Sequence, residues 1–264
     1  TLNHRVGVMG FVDTEGQPAS QTISRQLDRA LTQKFLQGSN RPQEKILAAV
    51  TLALTRQKEE STHCIDLEGH GREESLMPGA RLVRTVGWFT TLFPLVLVCQ
   101  EDETETLRAV KTALQKVPQH GIGYGILKYL KSGAVSDRLK EQPAAEILFN
   151  YLGALEQLLP AQSMFKLAEP LQVSRSTQQK RSHPVEVSAF LREDQLQIDW
   201  CYSKVDTPTV QALADETMKQ LQLMTAEPSD TPVAEDFPLA NLDSQKLDKL
   251  SSLLGKLDGL EGRL

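Results

Sequence analysis

The sequence has few cysteines, little excess charge and no long hydrophobic run, and each shortage excludes a class of protein. The three cysteines, Cys64, Cys99 and Cys201, are scattered. An odd number without close spacing does not make a disulfide framework, and no two of them have the spacing of metal ligands. Reduced thiols are typical of cytoplasmic proteins, so we expect no metal site and a cytoplasmic location.

The charge and the hydrophobic runs exclude two kinds of partner. A net charge of -5 is mildly acidic and argues against a nucleic-acid binder, which usually has a basic face. The longest apolar run, residues 88–99, is interrupted by Thr90, Thr91 and Pro94. It is too short to span a bilayer and predicts a buried strand, with Trp88 and Phe89 in the core. Residues 1–6 lack the charged start and apolar centre of a signal peptide.

Hydrophobic periodicity predicts strands that alternate with helices, followed by a hairpin and a last helix. Strands are predicted at residues 22–27, 63–67, 87–99 and 147–153, and a hairpin at 185–191 and 196–202. Helices are predicted at residues 29–37 after Asp28, from Pro42, from Asp102, at 126–130 and at 207–226. The predicted fold class is α/β, as an α+β two-layer domain with a mixed β-sheet flanked by helices.

The composition divides the chain into three parts. Residues 1–21 are rich in Gly, Asn, Asp and Pro and predict an irregular leader or the remnant of a preceding lobe. Residues 22–226 form the predicted domain. Residues 227–264 begin with a linker rich in proline and acidic residues. They continue with leucines at helical spacing, which predict a short amphipathic helix.

The most informative stretch is residues 68–73, with the sequence Glu-Gly-His-Gly-Arg-Glu, directly after a predicted buried strand. Its two glycines allow a tight turn. Glu68, His70 and Arg72 therefore gather a carboxylate, an imidazole and a guanidinium at a strand end, where catalytic groups often lie.

Two other motif interpretations fail. Residues 121–125, Gly-x-Gly-x-Gly, follow a predicted helix, whereas a dinucleotide-binding loop follows a strand and has a different spacing. The chain also lacks the Gly-x-Ser-x-Gly motif of serine hydrolases. His120 is predicted to be a turn residue without a role.

Four segments in order, residues 68–73, 84–90, 121–129 and 150–153, resemble the epimerization domain of nonribosomal peptide synthetases, a member of the condensation-domain superfamily. The resemblance implies a fold of the chloramphenicol-acetyltransferase type, in which two lobes enclose a tunnel. The chain resembles the C-terminal lobe. The N-terminal lobe of the family carries a His-His-x-x-x-Asp signature, and all five histidines of this sequence are isolated. We therefore expect the chain alone to be inactive and the N-terminal lobe to be a partner.

The resemblance also implies a reaction, which is inversion of the α-carbon of an aminoacyl or peptidyl thioester from L to D. Glu68 matches the carboxylate of the acid–base pair, and the second base is a histidine of the absent signature. Asn150 and Tyr151 match positions near the tunnel, where they would position the substrate or stabilise the enolate; alternatively, they end a strand with the ring in the core. Arg72 is expected to fix the loop by pairing with Glu68 or Glu73, and His70 to help orient it.

The implied partners are a peptidyl carrier domain and adjacent synthetase modules. No cofactor is expected to bind directly, because the substrate is carried on the phosphopantetheine arm of the carrier. Two alternative functions stay open: a condensation-type domain that forms peptide bonds, and a catalytically incomplete lobe with a carrier-docking or structural role.

Overall fold

Six strands form one mixed sheet in the computed structural model of the chain, in the order β1-β6-β5-β4-β2-β3. The structure describes residues 20–37, 41–58, 60–76, 79–158, 162–164 and 181–226. The strands are β1 Gln21–Gln26, β2 Thr62–Gly69, β3 Thr91–Val98, β4 Ile147–Ala154, β5 Val185–Arg192 and β6 Gln195–Tyr202. The pairs β2/β4 and β4/β5 are parallel, and the other neighbouring pairs are antiparallel.

Helices connect the strands. They are α1 Arg29–Gln37, α2 Pro42–Lys58, α3 Glu103–Gln115, the short α4 Ile122–Gly125, α5 Ala134–Glu141 and α6 Thr207–Ala226. A π-helical turn, Ile126–Leu130, continues α4. The chain divides into the units Thr1–Glu227 and Pro228–Leu264, and every described residue belongs to the first.

The two faces of the sheet differ because side chains alternate along each strand. On one face, here called the core face, apolar side chains of all the central strands are buried under helices. On the other, here called the open face, the alternate residues are mostly polar and only partly buried. β2 shows the pattern clearly: Ile65 and Leu67 are buried in the core, whereas Asp66 and Glu68 point to the open face.

The helix layer is built around α2, which packs against α3 and α6. Every residue of α2 from Glu44 to Leu54 is buried, as its apolar sequence predicted. The predicted strands at 22–27, 63–67 and 147–153 and the predicted helices at 29–37 and 207–226 are confirmed as well. The carboxylate of Asp28 accepts a hydrogen bond from the Leu31 backbone N–H (2.8 Å) and caps α1. The predicted hairpin is β5–β6, with Glu193 and Asp194 at positive φ in its turn.

The prediction of a buried strand at residues 87–99 is wrong in two respects. The strand begins at Thr91, and Trp88 is 90% exposed rather than in the core. β3 is also an edge strand of the sheet. Only its alternate residues, such as Phe93, reach the core, while Val96 is exposed. A continuous apolar run is typical of a strand buried on both faces, but here only one face of the edge strand is covered.

Helix α5 was not predicted, because its sequence is polar and short. Its residues pack against the π-helical turn, where the Ser136 hydroxyl donates to the Lys128 carbonyl (3.1 Å). Two predictions fall on residues outside those described: the leader, except for its last two residues, and the linker and helix of 227–264.

Candidate functional site

Glu68 and Asn150 form the centre of the candidate site on the open face. The Asn150 amide Nδ2 donates a hydrogen bond to Glu68 Oε2 (2.5 Å), although the two residues are 82 positions apart in sequence. The contact follows from the fold, since β2 and β4 are parallel neighbours with Leu67 opposite Phe149. Both side chains are partly buried. A carboxylate oriented by an amide donor on a largely uncovered sheet face is suited to exchange a proton with a bound molecule.

Tyr151 lies apart from this pair. The residue after Asn150 points to the opposite face of β4, and the half-buried Tyr151 ring packs against the hydrophobic core. Burial raises the pKa of its phenol, so the group stays protonated at neutral pH. The ring therefore packs against the core, as one alternative predicted, although β4 continues to Ala154 and does not end at this position. A catalytic role of Tyr151 stays a prediction.

The loop after Glu68 is held tightly. Gly71 has a φ of +63°, and a Cβ at this position would lie 1.7 Å from the Phe89 carbonyl oxygen; only glycine fits there. The His70 Nδ1 accepts a hydrogen bond from the Arg72 backbone N–H (3.0 Å). His70 thus braces the turn, while its ring stays largely exposed.

Arg72 stabilises the loop through hydrogen bonds to backbone carbonyls. Its guanidinium donates to the carbonyls of Leu82 and Thr85 and lies over the Phe89 ring, 4.5 Å from the centroid. The predicted pairing of Arg72 with Glu68 or Glu73 is therefore wrong. The short polar loop brings backbone carbonyls within reach, and these satisfy a guanidinium without a second charge beside it.

Glu73 pairs instead with His120, a residue to which the sequence assigned no role. Glu73 Oε2 lies 3.0 Å from His120 Nδ1, and the carboxylate is only 11% exposed. Gln119, His120 and Gly121 have φ values of 48°, 51° and 81°, which are strained for the first two residues. Backbone strain of this kind tends to gather at functional sites. The neighbouring glycine motif was the available signal, but it did not predict the partner.

The sequence did not predict two further side-chain pairs on the open face. Asp66 Oδ2 lies 2.9 Å from His183 Nε2, and Glu186 Oε2 lies 2.6 Å from Arg181 Nη1. All four side chains are less than a fifth exposed. Alternation along β2 places Asp66 beside Glu68, but nothing in the sequence brings residues 181–183 to this face.

The type of site is limited by what the described residues lack. They contain no group of three or more His, Cys, Asp or Glu side chains placed to hold a metal ion. Among the helices they form, none is long and apolar enough to cross a membrane.

Comparison with known proteins places the chain in a family. Residues 14–247 match the condensation domain. The chain belongs to the condensation-domain family. It is 42% identical over 214 residues to one subunit of the linear gramicidin synthase of Brevibacillus parabrevis, a match that covers 77% of this chain and 3% of that protein. It is 30% identical to bacitracin synthase 3 of Bacillus licheniformis, over 92% of this chain and 4% of that protein. The chain thus spans a small part of these relatives.

Solved structures agree with the condensation-domain fold. The epimerization domain from the third module of tyrocidine synthetase B superposes with a TM-score of 0.73 at 26% identity, over 85% of this chain and 52% of that domain. A cyclization–docking bidomain from Sorangium cellulosum superposes with a TM-score of 0.61 at 17% identity, over 81% and 43%. The chain covers about half of each, as one lobe of a two-lobed domain would.

Proposed function

We propose that this chain is part of an epimerization domain of a nonribosomal peptide synthetase, which inverts the α-carbon of an aminoacyl or peptidyl thioester from L to D. The observation that carries the proposal is the Glu68–Asn150 pair on the open face. Similarity to the tyrocidine epimerization domain supports it, since both the identity of 26% and the TM-score of 0.73 exceed those of the first condensation domain of the CDA synthetase, 15% and 0.53.

The reaction moves one proton off the α-carbon and returns one to its opposite face. A base takes the α-proton, the electron pair of the C–H bond passes into the thioester as an enolate, and an acid on the other side protonates the carbon. Glu68 serves as one of these groups, with Asn150 Nδ2 orienting its carboxylate. An imidazole of the family's His-His-x-x-x-Asp signature, from the other lobe, supplies the second. No net proton, electron or atom is gained or lost.

The partners follow from this chemistry. The substrate arrives on the phosphopantetheine arm of a peptidyl carrier domain, so the chain itself holds no cofactor. The N-terminal lobe covers the open face and completes the tunnel, and His70 and Arg72 keep the loop beside Glu68 in shape. Adjacent synthetase modules supply and consume the thioester.

Two other functions compete. A condensation-type domain that forms peptide bonds is favoured by the family match itself. A lobe that only docks carriers or fills a structural role is favoured by the absence of adjacent histidines from the sequence. The three differ in product: a D-configured thioester, a longer peptide, or neither.

The test is hydrogen exchange at the α-carbon of a carrier-bound thioester in D₂O, with this chain joined to its N-terminal lobe. Glu68→Gln keeps the size and the contact with Asn150 but removes the base. We expect the exchange rate to fall roughly 100- to 10,000-fold, as for loss of a general base. Mass spectrometry of the released acid measures the rate.

Asp199→Asn is the matched control, because Asp199 is a carboxylate on the same open face, on β6, where it accepts a hydrogen bond from Gln197 (2.7 Å). It should leave the exchange unchanged. Exchange that survives in Glu68→Gln would refute the role of Glu68. A peptide product without exchange would favour the condensation function, and neither product would favour the docking lobe.

A further inference from the structure

A cavity of about 320 Å³ lies on the open face beside the candidate site. Its floor is formed by side chains of β2 and β3, including Asp66 and Pro94, which are direct neighbours across the two strands. Tyr124 and Lys128, from α4 and the π-helical turn, also line the cavity. The volume is in the range of sites that bind small organic molecules, roughly 300–1,000 Å³.

The lining carries polar groups suited to a ligand with both donors and acceptors. Lys128 Nζ lies 3.3 Å from the Tyr124 hydroxyl, which leaves the ammonium with further hydrogens to donate. Glu146 Oε2 is buried and has no hydrogen-bond partner among the residues that the structure describes. A buried carboxylate oxygen without a donor is costly, so the site favours a ligand that brings an N–H group. The Asp66–His183 pair adds a second buried acceptor.

The cavity is suited to bind a ligand, and its cysteine is not a reactive nucleophile. Burial raises the pKa of the Cys64 thiol to about 11, which keeps the one cysteine of the lining protonated and unreactive at neutral pH. The mixture of Tyr, Pro and Leu side chains with a few charged groups is typical of a recognition pocket.

The position of the cavity relates it to Glu68. Asp66 and Glu68 lie on the same face of β2, two residues apart, and hence about 7 Å from each other along the strand. One residue of an extended peptide spans about 3.5 Å. If the α-carbon of a substrate lies at Glu68, the two residues that precede it in a peptide reach the cavity, whereas a single amino acid does not.

We propose that this cavity binds the residues upstream of the α-carbon that is inverted, so that the substrate is a peptidyl rather than an aminoacyl thioester. The inference rests on the proposed function. The upstream amide N–H groups supply the donor that Glu146 lacks, and an upstream carbonyl accepts a hydrogen bond from Lys128. With an aminoacyl thioester, Glu146 and Lys128 would have only water as a hydrogen-bond partner in the cavity.

The test measures binding separately from reaction. Alanyl and trialanyl pantetheine, joined by an amide in place of the thioester, are titrated into the intact domain by calorimetry. We expect the trialanyl probe to bind about tenfold more tightly, the equivalent of one or two hydrogen bonds. Lys128→Met should remove this preference without weakening the alanyl probe. Ala144→Trp, which fills the cavity from its exposed rim, should remove it as well.

Lys131→Met is the matched control, since Lys131 is exposed next to the same turn and does not line the cavity; it should keep the preference. Equal binding of the two probes, unaffected by Lys128→Met, would overturn the inference even if the domain exchanges the α-hydrogen. A trialanyl preference that Lys128→Met removes would support the cavity even if exchange is absent, and only the role of Glu68 would then fail.

Discussion

The two faces of the sheet are made by the same strands and yet have opposite characters. On the core face, Phe149, Ile198 and Trp200 are fully buried under the helices. On the open face, Glu68 and Asn150 are adjacent and only partly buried. Alternation along a strand lets one segment serve both layers. The comparison suggests that the core face supplies most of the stability and the open face most of the chemistry.

On the open face, buried acidic side chains are paired with basic side chains. Asp66 is paired with His183 and Glu186 with Arg181. An ionised group removed from water without a partner costs several kcal/mol, and pairing offsets much of this cost. Glu146 is the exception, because its Oε2 has no hydrogen-bond partner among the described residues. Charged positions of the open face should therefore respond to mutation differently from apolar positions of the core face.

The sharpest test of the comparison uses two neighbours on β4. Phe149→Ala, on the core face, should lower the free energy of unfolding by about 3–5 kcal/mol, since it removes a fully buried ring and leaves a cavity. Leu148→Ala, on the open face, should cost less than about 1 kcal/mol because its side chain is only partly buried. Denaturant unfolding of both variants measures the difference. Equal losses would show that the open face contributes as much packing as the core.

The second test asks whether an ion-pair partner is what makes a buried charge on the open face tolerable. Arg181→Met takes this ion-pair partner away from Glu186, which is 13% exposed, and should lower the free energy of unfolding by about 2–4 kcal/mol. The double variant Arg181→Met/Glu186→Gln, which also removes the charge of Glu186, should regain at least half of that loss. Chemical denaturation of the two single variants and the double variant completes the cycle. A double variant no better than Arg181→Met would mean that Arg181 acts through packing instead.

The fold was largely predictable from the sequence because its periodicity is strong. α2 is apolar nearly all round and α6 is amphipathic, and both helices begin where Pro42 and Thr207 predict. The predicted boundaries of an element were wrong where its composition favours a strand but no neighbouring strand is there to pair with it. The apolar residues 86–90 resemble a strand, but they lie beyond the last partner residue of β2, since Gly69 pairs with Thr91. No described strand is opposite them, so they form a loop.

The site was only partly predictable. Glu68 and Asn150 were both selected from the sequence, but their contact depends on the parallel register of β2 and β4, which local patterns do not encode. His183 and Arg181 reach the site region through a long connection, and their sequence neighbours give no sign of it. His120 lies beside a glycine motif, but this signal does not identify Glu73 as its partner. The partner of Arg72 was misjudged because carbonyl groups, which every residue carries, compete with carboxylates as acceptors.

The last test concerns Glu146, whose buried carboxylate oxygen has no hydrogen-bond partner among the described residues. Burial raises the pKa of this carboxyl to about 7 from 4.5. Between these values the folded state keeps a proton that the unfolded state releases, so the free energy of unfolding falls as the pH rises through this range. The full shift corresponds to about 3 kcal/mol, but solvent reaches much of this group and screens it, so we expect about 1 kcal/mol.

Glu146→Gln should remove that pH dependence. The wild type should lose about 1 kcal/mol between pH 5 and pH 8 that the variant does not lose, so the variant becomes the more stable protein at pH 8. Urea denaturation of both proteins at the two pH values measures this. Glu141→Gln, on an exposed residue at the end of α5, is the control and should follow the wild type. Parallel curves for Glu146→Gln and the wild type would show that the carboxyl is ionised and satisfied in the folded state, and the open face would then hold no uncompensated charge at this position.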